Sequence, residues 1–388
     1  MYATVRICDI AEVKGGKRMP PNASLVTTRT NHPYIRGRDI RDGKISVDEL
    51  LYVRDEDFEQ IRRYTVNNGD VCITIVGNIG DVGITPPQLH GASLTENAVK
   101  LVNLHEDFNP GFITYALLTP DAQSQMKLSA AGAAQAKLGI YKVNEIRITA
   151  PPLAIQQRIA GILSTYDDLI ENSQRRIKIL ETMARGLYRE WFVHFRFPGH
   201  ENHLRVASAL GEIPQGWVVK KLSEIAILNY GKALKKEDRC DGDFPVFGSS
   251  GVVGTHNLAL VKGPGIVVGR KGNVGSVFWC DDDFFVIDTA YFVTSSLPLR
   301  YLFYVLPTLN FINSDAAVPG LSRNQAYSLD VLVPPQEVLV QFCELANTFE
   351  YQALTLNRQI QNLRRTRDLL LPRLLSGQIS VDTKEVIT

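Results

Sequence analysis

The sequence predicts an α/β protein: two α/β domains at opposite ends of a pair of long antiparallel coiled-coil helices, related by a pseudo-twofold internal repeat. Three observations predict it. The second half of the chain repeats the first at a nearly constant offset, two long apolar stripes have coiled-coil period, and short β-branched runs end in glycine turns. At 388 residues the chain has length for two or three compact units.

The repeat is anchored by Pro151-Pro152 and Pro334-Pro335, 183 positions apart, each closing a strand-like segment and opening a helical pattern. The same offset aligns Ala133-Ala134 with Ala316-Ala317, Leu138 with Leu321, Ile146 with Leu329, Ile148 with Val331, Leu180 with Leu363 and Leu187 with Leu370. Further upstream, GNIGDV (77–82) matches GNVGSV (272–277), and IAEVKGGK (10–17) matches IAILNYGK (225–232). Those offsets are larger, as loop insertions between equivalent domains would make them. The expected organisation is a first domain over 1–150, a central helix over 151–199, a polar linker over 200–213, a second domain over 214–333, and a second helix with a tail over 334–388.

Within the domains, DVCITIVG (70–77) and GIVVGRKG (265–272) are β-branched runs closing on glycine, and FVIDTAYFV (285–293) reads as one further strand. GNIGDV and GNVGSV lie between strand-like segments. They therefore read as hairpin turns, not as the strand-turn-helix of a nucleotide loop.

The helices are read from their period. Ile159, Leu163, Tyr166, Ile170, Ser173, Ile177, Leu180, Ala184, Leu187 and Trp191 alternate spacings of four and three, and only Ser173 is polar. The corresponding stripe is Phe342, Ala346, Phe349, Ala353, Leu356, Ile360, Leu363, Arg367, Leu370 and Leu374, interrupted only by Arg367. Gly186 and Pro372 fall near the two ends. A stripe over ~38 residues is ~57 Å long at ~1.5 Å per residue, more apolar surface than a soluble protein leaves exposed. The two helices are therefore expected to cover each other.

Composition narrows the function. Apolar residues make up 45% and charged residues 21%, an ordinary folded mixture. Lys and Arg number 42 against 41 Asp and Glu, so a net charge of +1 supplies no whole-molecule field for a polyanion. Nucleic-acid contact would have to come from local patches. Cys8, Cys72, Cys240, Cys280 and Cys343 are odd in number and never in Cys-x-x-Cys spacing, which fits reduced thiols. The most apolar stretch, Phe284 to Ile312, is broken by Asp288, Pro298, Arg300 and Pro307, short of the ~20 apolar residues a membrane helix requires. The N-terminal MYATVRICDI has no apolar signal core. A cytoplasmic protein without membrane association is expected.

Catalytic motifs are missing. There is no G-x-x-x-x-G-K-[ST] phosphate loop, G-x-S-x-G, H-E-x-x-H or kinase signature. Asn109-Pro110-Gly111-Phe112 lacks the second proline of an amino-methyltransferase motif, and Glu12-Val13-Lys14 is a lone nuclease-like tripeptide of a kind common by chance. His200 and His203 have no third ligand nearby and read as solvated loop. No catalytic residue, metal site or cofactor is expected on this chain.

The loops carry side chains suited to DNA. In the second copy Lys232, Lys235, Lys236 and Arg239 follow the Tyr230-Gly231 turn, Arg270 and Lys271 precede the turn holding Asn273, and Arg323, Asn324 and Gln325 form a later set. The first copy has Lys14, Lys17 and Arg18, then Arg36, Arg38 and Arg41, with Asn78 in the matching turn and Lys137 and Lys142 near its end. Arg and Lys bond guanine O6 and N7, whereas Asn and Gln bond adenine N6 and N7.

ALGEIPQGWVVKKLSEIA (209–226), FPVFGSSGVVGTHN (244–257), VVGRKGNVGSVFW (267–279), VIDTAYFV and LLPRLLSGQISV (370–381) resemble the specificity subunit of type I restriction-modification systems. PPLAIQQRIAGIL (151–163) and YREWFVHFRFPG (188–199) resemble its central helical region. The resemblance implies two target-recognition domains, each reading half of a split double-stranded DNA site. It also implies that each domain-helix junction docks one adenine-N6 modification subunit, through which restriction subunits join. S-adenosylmethionine, ATP and Mg would then belong to those partners. PYIRGRDI (33–40) replaces the second copy's PVFGSSGVVG, and the first copy has no equivalent of Leu210 to Gly216, so the target is expected to be asymmetric. Two alternatives stay open: a specificity chain for another methyltransferase or phage-defence assembly, and a DNA-independent coiled-coil scaffold.

Overall fold

The computed structural model describes residues 2–130, 136–312 and 320–381. The matched Ala133-Ala134 and Ala316-Ala317, and the end of the 334–388 segment, lie outside them. The chain divides into two compact units, Met1–Ser173 with Gln359–Thr388, and Gln174–Arg358. Each unit thus takes its sheets from one half of the chain and its helical face from both long helices.

The first unit contains a six-stranded sheet in the order Glu12–Gly15, Ala98–Val102, Val71–Thr74, Val82–Ile84, Gly43–Ile45 and Ile40–Arg41. Beside it lies a three-stranded sheet of Leu51–Tyr52, Pro33–Ile35 and Ser93–Leu94. Ala3–Arg6 pairs antiparallel with Arg147–Ala150 immediately before the Pro-Pro. The second unit repeats this plan. Ala226–Tyr230, Ala290–Ser295, Gly265–Gly269 and Val277–Cys280 form its main sheet, and Gly251–His256, Phe244–Gly248 and Phe285–Val286 its smaller one. Val218–Lys221 pairs with Asp330–Val333 ahead of the second Pro-Pro.

The run 285–293 is two strands and not one. Phe285–Val286 runs parallel to Phe244–Gly248, and Ala290–Ser295 belongs to the main sheet. Between them the Ala290 N–H closes a turn onto the Ile287 carbonyl at 3.1 Å. Apolar pattern alone does not show the turn, because only Asp288 and Thr289 interrupt an otherwise apolar run that reads as one continuous strand.

Leu153–Tyr188 is a helix of 36 residues and Gln336–Leu375 one of 40. The start after each Pro-Pro is economical, since the first N–H groups of a helix have no internal partner to lose. The first helix runs through Gly186 and ends in a π turn, Arg189–Val193, that buries both Trp191 and Phe192. Residues 194–199 are not helical, so the 151–199 segment is helical over 153–193 only. The second helix passes Pro372 in its last turns, where the missing N–H removes one bond from a ladder about to end. The 200–213 segment is also more ordered than an open linker. Arg205–Ser208 and Gly211–Pro214 form an antiparallel hairpin whose side chains are mostly exposed.

Each unit packs an antiparallel pair of helix segments against its sheets. In the first, Ile159 and Leu163 share a core with Leu370, Leu371, Leu374 and the sheet residues Ile73, Val82 and Val99. Ile170 and Ile360 are buried, and Tyr166 and Leu363 half-buried. In the second, Trp191, Phe342 and Leu356 are buried, while Ile177, Leu180, Leu187 and Phe349 are half-buried. The fully buried Phe342 ring meets Phe192 edge-on at 4.8 Å and Trp191 at 6.1 Å. Phe342→Ala is expected to destabilise this unit by about 3–5 kcal/mol, to be read from urea unfolding followed by Trp191 and Trp217 fluorescence.

The two polar seam residues are both satisfied. Ser173 bonds the Leu169 carbonyl at 2.8 Å. Arg367 pairs with Asp167, which also accepts the Tyr115 hydroxyl at 2.6 Å. At the 183-residue offset from Asp167 stands Glu350, which accepts the Tyr304 hydroxyl. The same tyrosine-to-carboxylate link thus joins the body of each unit to its long helix.

Candidate nucleic-acid interface

The antiparallel order places the ends of four strands together in each unit: Gly15, Thr74, Val82 and Ala98 in the first, and Tyr230, Gly269, Val277 and Ala290 in the second. The loops leaving these ends are held by matching main-chain bonds. Gly16 N–H bonds Ala98 O at 3.0 Å and Gly231 N–H bonds Ala290 O at 3.2 Å. Leu138 N–H bonds Ile75 O at 2.9 Å, as Leu321 N–H bonds Arg270 O at 2.7 Å.

Glycine is required at the closest approaches. A Cβ on Gly16 would lie 2.0 Å from the Thr95 carbonyl oxygen, and one on Gly231 2.2 Å from that of Ile287. The GNIGDV and GNVGSV motifs are hairpin turns between paired strands. Gly77 and Gly80 have φ of 81° and 92°, Gly272 and Gly275 of 80° and 76°, a left-handed backbone that L side chains strain to adopt. The two units therefore share a scaffold at this end and differ in what it presents.

In the second unit Lys232, Arg270, Lys271, Asn273 and Arg323 all lie on these converging loops. Asn324 and Gln325 follow on the short helix Arg323–Tyr327, capped by Ser322. Gln325 is engaged internally, donating to the Asn310 carbonyl at 3.1 Å. Lys235 and Lys236 are exposed one segment further out, and Arg239 is turned to the Val253 carbonyl at 2.6 Å.

In the first unit Lys14, Lys17, Arg18, Asn78 and Lys137 occupy the corresponding end. Several of their charges are already matched: Lys14 by Glu12 at 2.9 Å and Arg18 by Glu96 at 2.7 Å. Lys17 lies 5.6 Å from the Tyr64 ring centre. Arg36 is committed to the fold, bonding Asp39 through Nε and Nη2 at 2.8 and 2.7 Å and the Glu49 carbonyl at 2.9 Å. Arg38 and Arg41 are exposed beside it, and Lys142 donates to the Ser129 carbonyl from a separate helix. Burial pushes the Asp81 carboxyl next to the Asn78 turn upward, and the Arg41 charge draws it back.

Sequence reading took Tyr230 for a turn residue and missed its contacts. Arg323 and Arg270 lie 4.6 and 5.0 Å from its ring centre, and Tyr291 is 5.0 Å away on the neighbouring strand. Burial pushes the Tyr291 hydroxyl up to about 12; Tyr230 adds to the shift and the two arginines oppose it. Guanidinium and amide donors on converging loops are the chemistry that binds base edges and phosphates.

No helix among the described residues is long and apolar enough to cross a membrane. The model of the type I restriction modification DNA specificity domain matches residues 1–182 and 214–362. The type I restriction enzyme MjaIX specificity subunit of Methanocaldococcus jannaschii is 23% identical over 97% of this chain and 93% of its own length. The MjaVIII specificity subunit of the same organism is 27% identical over 62% of this chain and 52% of its own. In fold, the chain is similar to the crystal structure of a type-I restriction-modification system S subunit from M. genitalium, with a TM-score of 0.59, 17% identity and 96% of each chain covered.

Proposed function

Because this chain belongs to the type I restriction-modification DNA specificity family, we propose that it reads a bipartite, asymmetric double-stranded site, one half with each recognition domain. The domains would be the 1–150 and 214–333 segments, and the two domain-helix junctions would each dock one adenine-N6 modification subunit. Restriction subunits join through those. S-adenosylmethionine, ATP and Mg act on the partners, in the cytoplasm, and this chain supplies recognition and not catalysis.

The observation that carries the reading is the repeated loop platform with unlike side chains. A scaffold held by the same main-chain bonds presents Arg270 and Arg323 in one copy and Ile75 and Ile140 at the equivalent positions of the other. Fixed scaffolds with variable loops are how recognition is changed without changing the fold. Phosphate contacts from the exposed lysines would hold the register, and base-edge contacts would select the sequence.

Mapping methylated adenines across the host genome with and without this gene tests the proposal. A split motif with unlike halves should vanish on deletion, and an unchanged methylation pattern would defeat the reading. The purified chain by itself is expected to transfer no methyl group to DNA. Labelled S-adenosylmethionine incorporated by the isolated chain would overturn its placement as a recognition subunit.

A further inference from the structure

Tyr230 ends its strand about half exposed, with two guanidinium groups over its ring, those of Arg323 at 4.6 Å and Arg270 at 5.0 Å. The main chain of Arg270 is clamped, and the side chain of Arg323 is tethered. Arg270 N–H bonds Thr289 O at 2.9 Å, its carbonyl accepts from Leu321, and the Leu321 carbonyl accepts the Tyr291 hydroxyl at 3.2 Å. Arg323 Nη1 reaches the Leu228 carbonyl at 3.3 Å. Among the described residues neither arginine is ion-paired to a carboxylate, whereas Arg18, Arg36, Arg54, Arg196 and Arg367 all are. Two like charges gathered on one exposed ring without a counter-charge repel each other, and an electron-rich ligand relieves that.

The fold does not need this cluster. Tyr230 faces Tyr291 in the strand register as Gly15 faces Val99, and Val268 faces Tyr291 as Ile73 faces Val99. Arg270 and Arg323 then correspond to Ile75 and Ile140, and a Cβ on Gly15 would stand in ordinary contact, 3.6 Å, with Ile140. One copy is content with glycine and aliphatics where the other holds a tyrosine and two arginines.

We propose that Tyr230 is a positioning residue that holds Arg270 and Arg323 as a preset pair of guanidiniums, and that this pair reads guanine in the half-site of the second domain. A planar guanidinium presents its donors as a rigid fork that matches guanine O6 and N7 together. Stacking on an aromatic ring fixes the plane of the fork before DNA arrives, so less freedom is lost on binding.

The inference rests on the reading of the chain as a DNA specificity subunit, and the test separates the two. The probe is a pool of random-sequence duplexes, selected by the full chain together with its modification subunits. Arg270→Ala and Arg323→Ala should each lose a guanine preference in one half-site, with discrimination falling roughly 5- to 100-fold, and leave the other half-site intact. Tyr230→Ala should weaken both preferences together, and Tyr230→Phe, which keeps the ring, should restore them. Arg270→Lys should keep the salt dependence and weaken the base preference less than Arg270→Ala does, because an ammonium can reach guanine but lacks the rigid fork.

Preferences that survive Tyr230→Ala but vanish in the two arginine variants would overturn the positioning role. Uniform weakening on all sequences, with a shallower salt slope, would assign the arginines to phosphates and overturn the guanine reading. If the wild-type complex selects two half-sites and none of the variants alters either, this inference fails and the proposed function stands. If the wild-type complex selects no sequence at all, the proposed function fails and takes the inference with it.

Discussion

A chimera carrying residues 1–150 from another specificity chain is expected to acquire a new first half-site and keep the second unchanged. Each mismatched base pair costs about 1–3 kcal/mol, nearly additively, so losing the contacts of one domain should lower preference for its original half-site by a factor on the order of 10³ or more. The exchange has a structural condition that the sequence did not reveal. Residues 1–150 are anchored to both long helices: Tyr115 bonds Asp167, Lys44 bonds Glu171 at 2.7 Å, and the core of Ile73 and Val99 includes Leu371 and Leu374. A donor that keeps a tyrosine at 115 and a lysine at 44 should give a stable chimera. One lacking both should recognise DNA the same way but unfold at lower urea. Methylation mapping of the chimera with its modification subunits decides the matter, and simultaneous change of both half-sites would show that the halves are not independent modules.

Much of this architecture was legible because it is periodic or repeated. The Pro-Pro pairs, the apolar seams and the GN-Ile/Val-G turns each impose a local pattern on a few neighbouring residues. What escaped notice was held together over long sequence separations. Tyr230, Arg270 and Arg323 meet only after three loops converge, so nothing beside Tyr230 in the sequence marks it as more than a turn residue. Arg36 looked like a free cation among Arg38 and Arg41 because its tie to Asp39 depends on a short 3-10 turn over Gly37–Asp39. The π turn at Arg189–Val193 was hidden for a different reason. Ala184, Tyr188, Trp191 and Phe192 are all buried and fit the inward stripe of a regular helix, so the apolar pattern carries no mark of the wider turn.

Arg367 is where pattern and structure disagree most sharply about a mutation. By the seam pattern, leucine at 367 completes an apolar stripe and should stabilise, since burying a leucine side chain is worth about 1.5–3 kcal/mol. The structure reverses the sign. Asp167 is 6% exposed and Arg367 is its ion-pair partner, so Arg367→Leu would leave a buried carboxylate supported by the Tyr115 hydroxyl alone. Removing one partner of a buried pair costs about 3–5 kcal/mol, which exceeds the gain from the added apolar contact. The expected result is a net loss of up to about 3.5 kcal/mol in the first unit, taken as the difference of these two effects. Removing the other charge should reverse that loss. In Asp167→Leu with Arg367→Leu no buried charge remains, but the Tyr115 hydroxyl has lost its acceptor at a cost of about 1–3 kcal/mol. Adding Tyr115→Phe removes that cost as well, and the triple variant should be as stable as the natural chain or more so, as all-apolar replacements of buried ion pairs have been. Urea unfolding of the single, double and triple variants gives the ordering. A single Arg367→Leu variant more stable than the natural chain would show that Asp167 is not held as a buried charge by this pair.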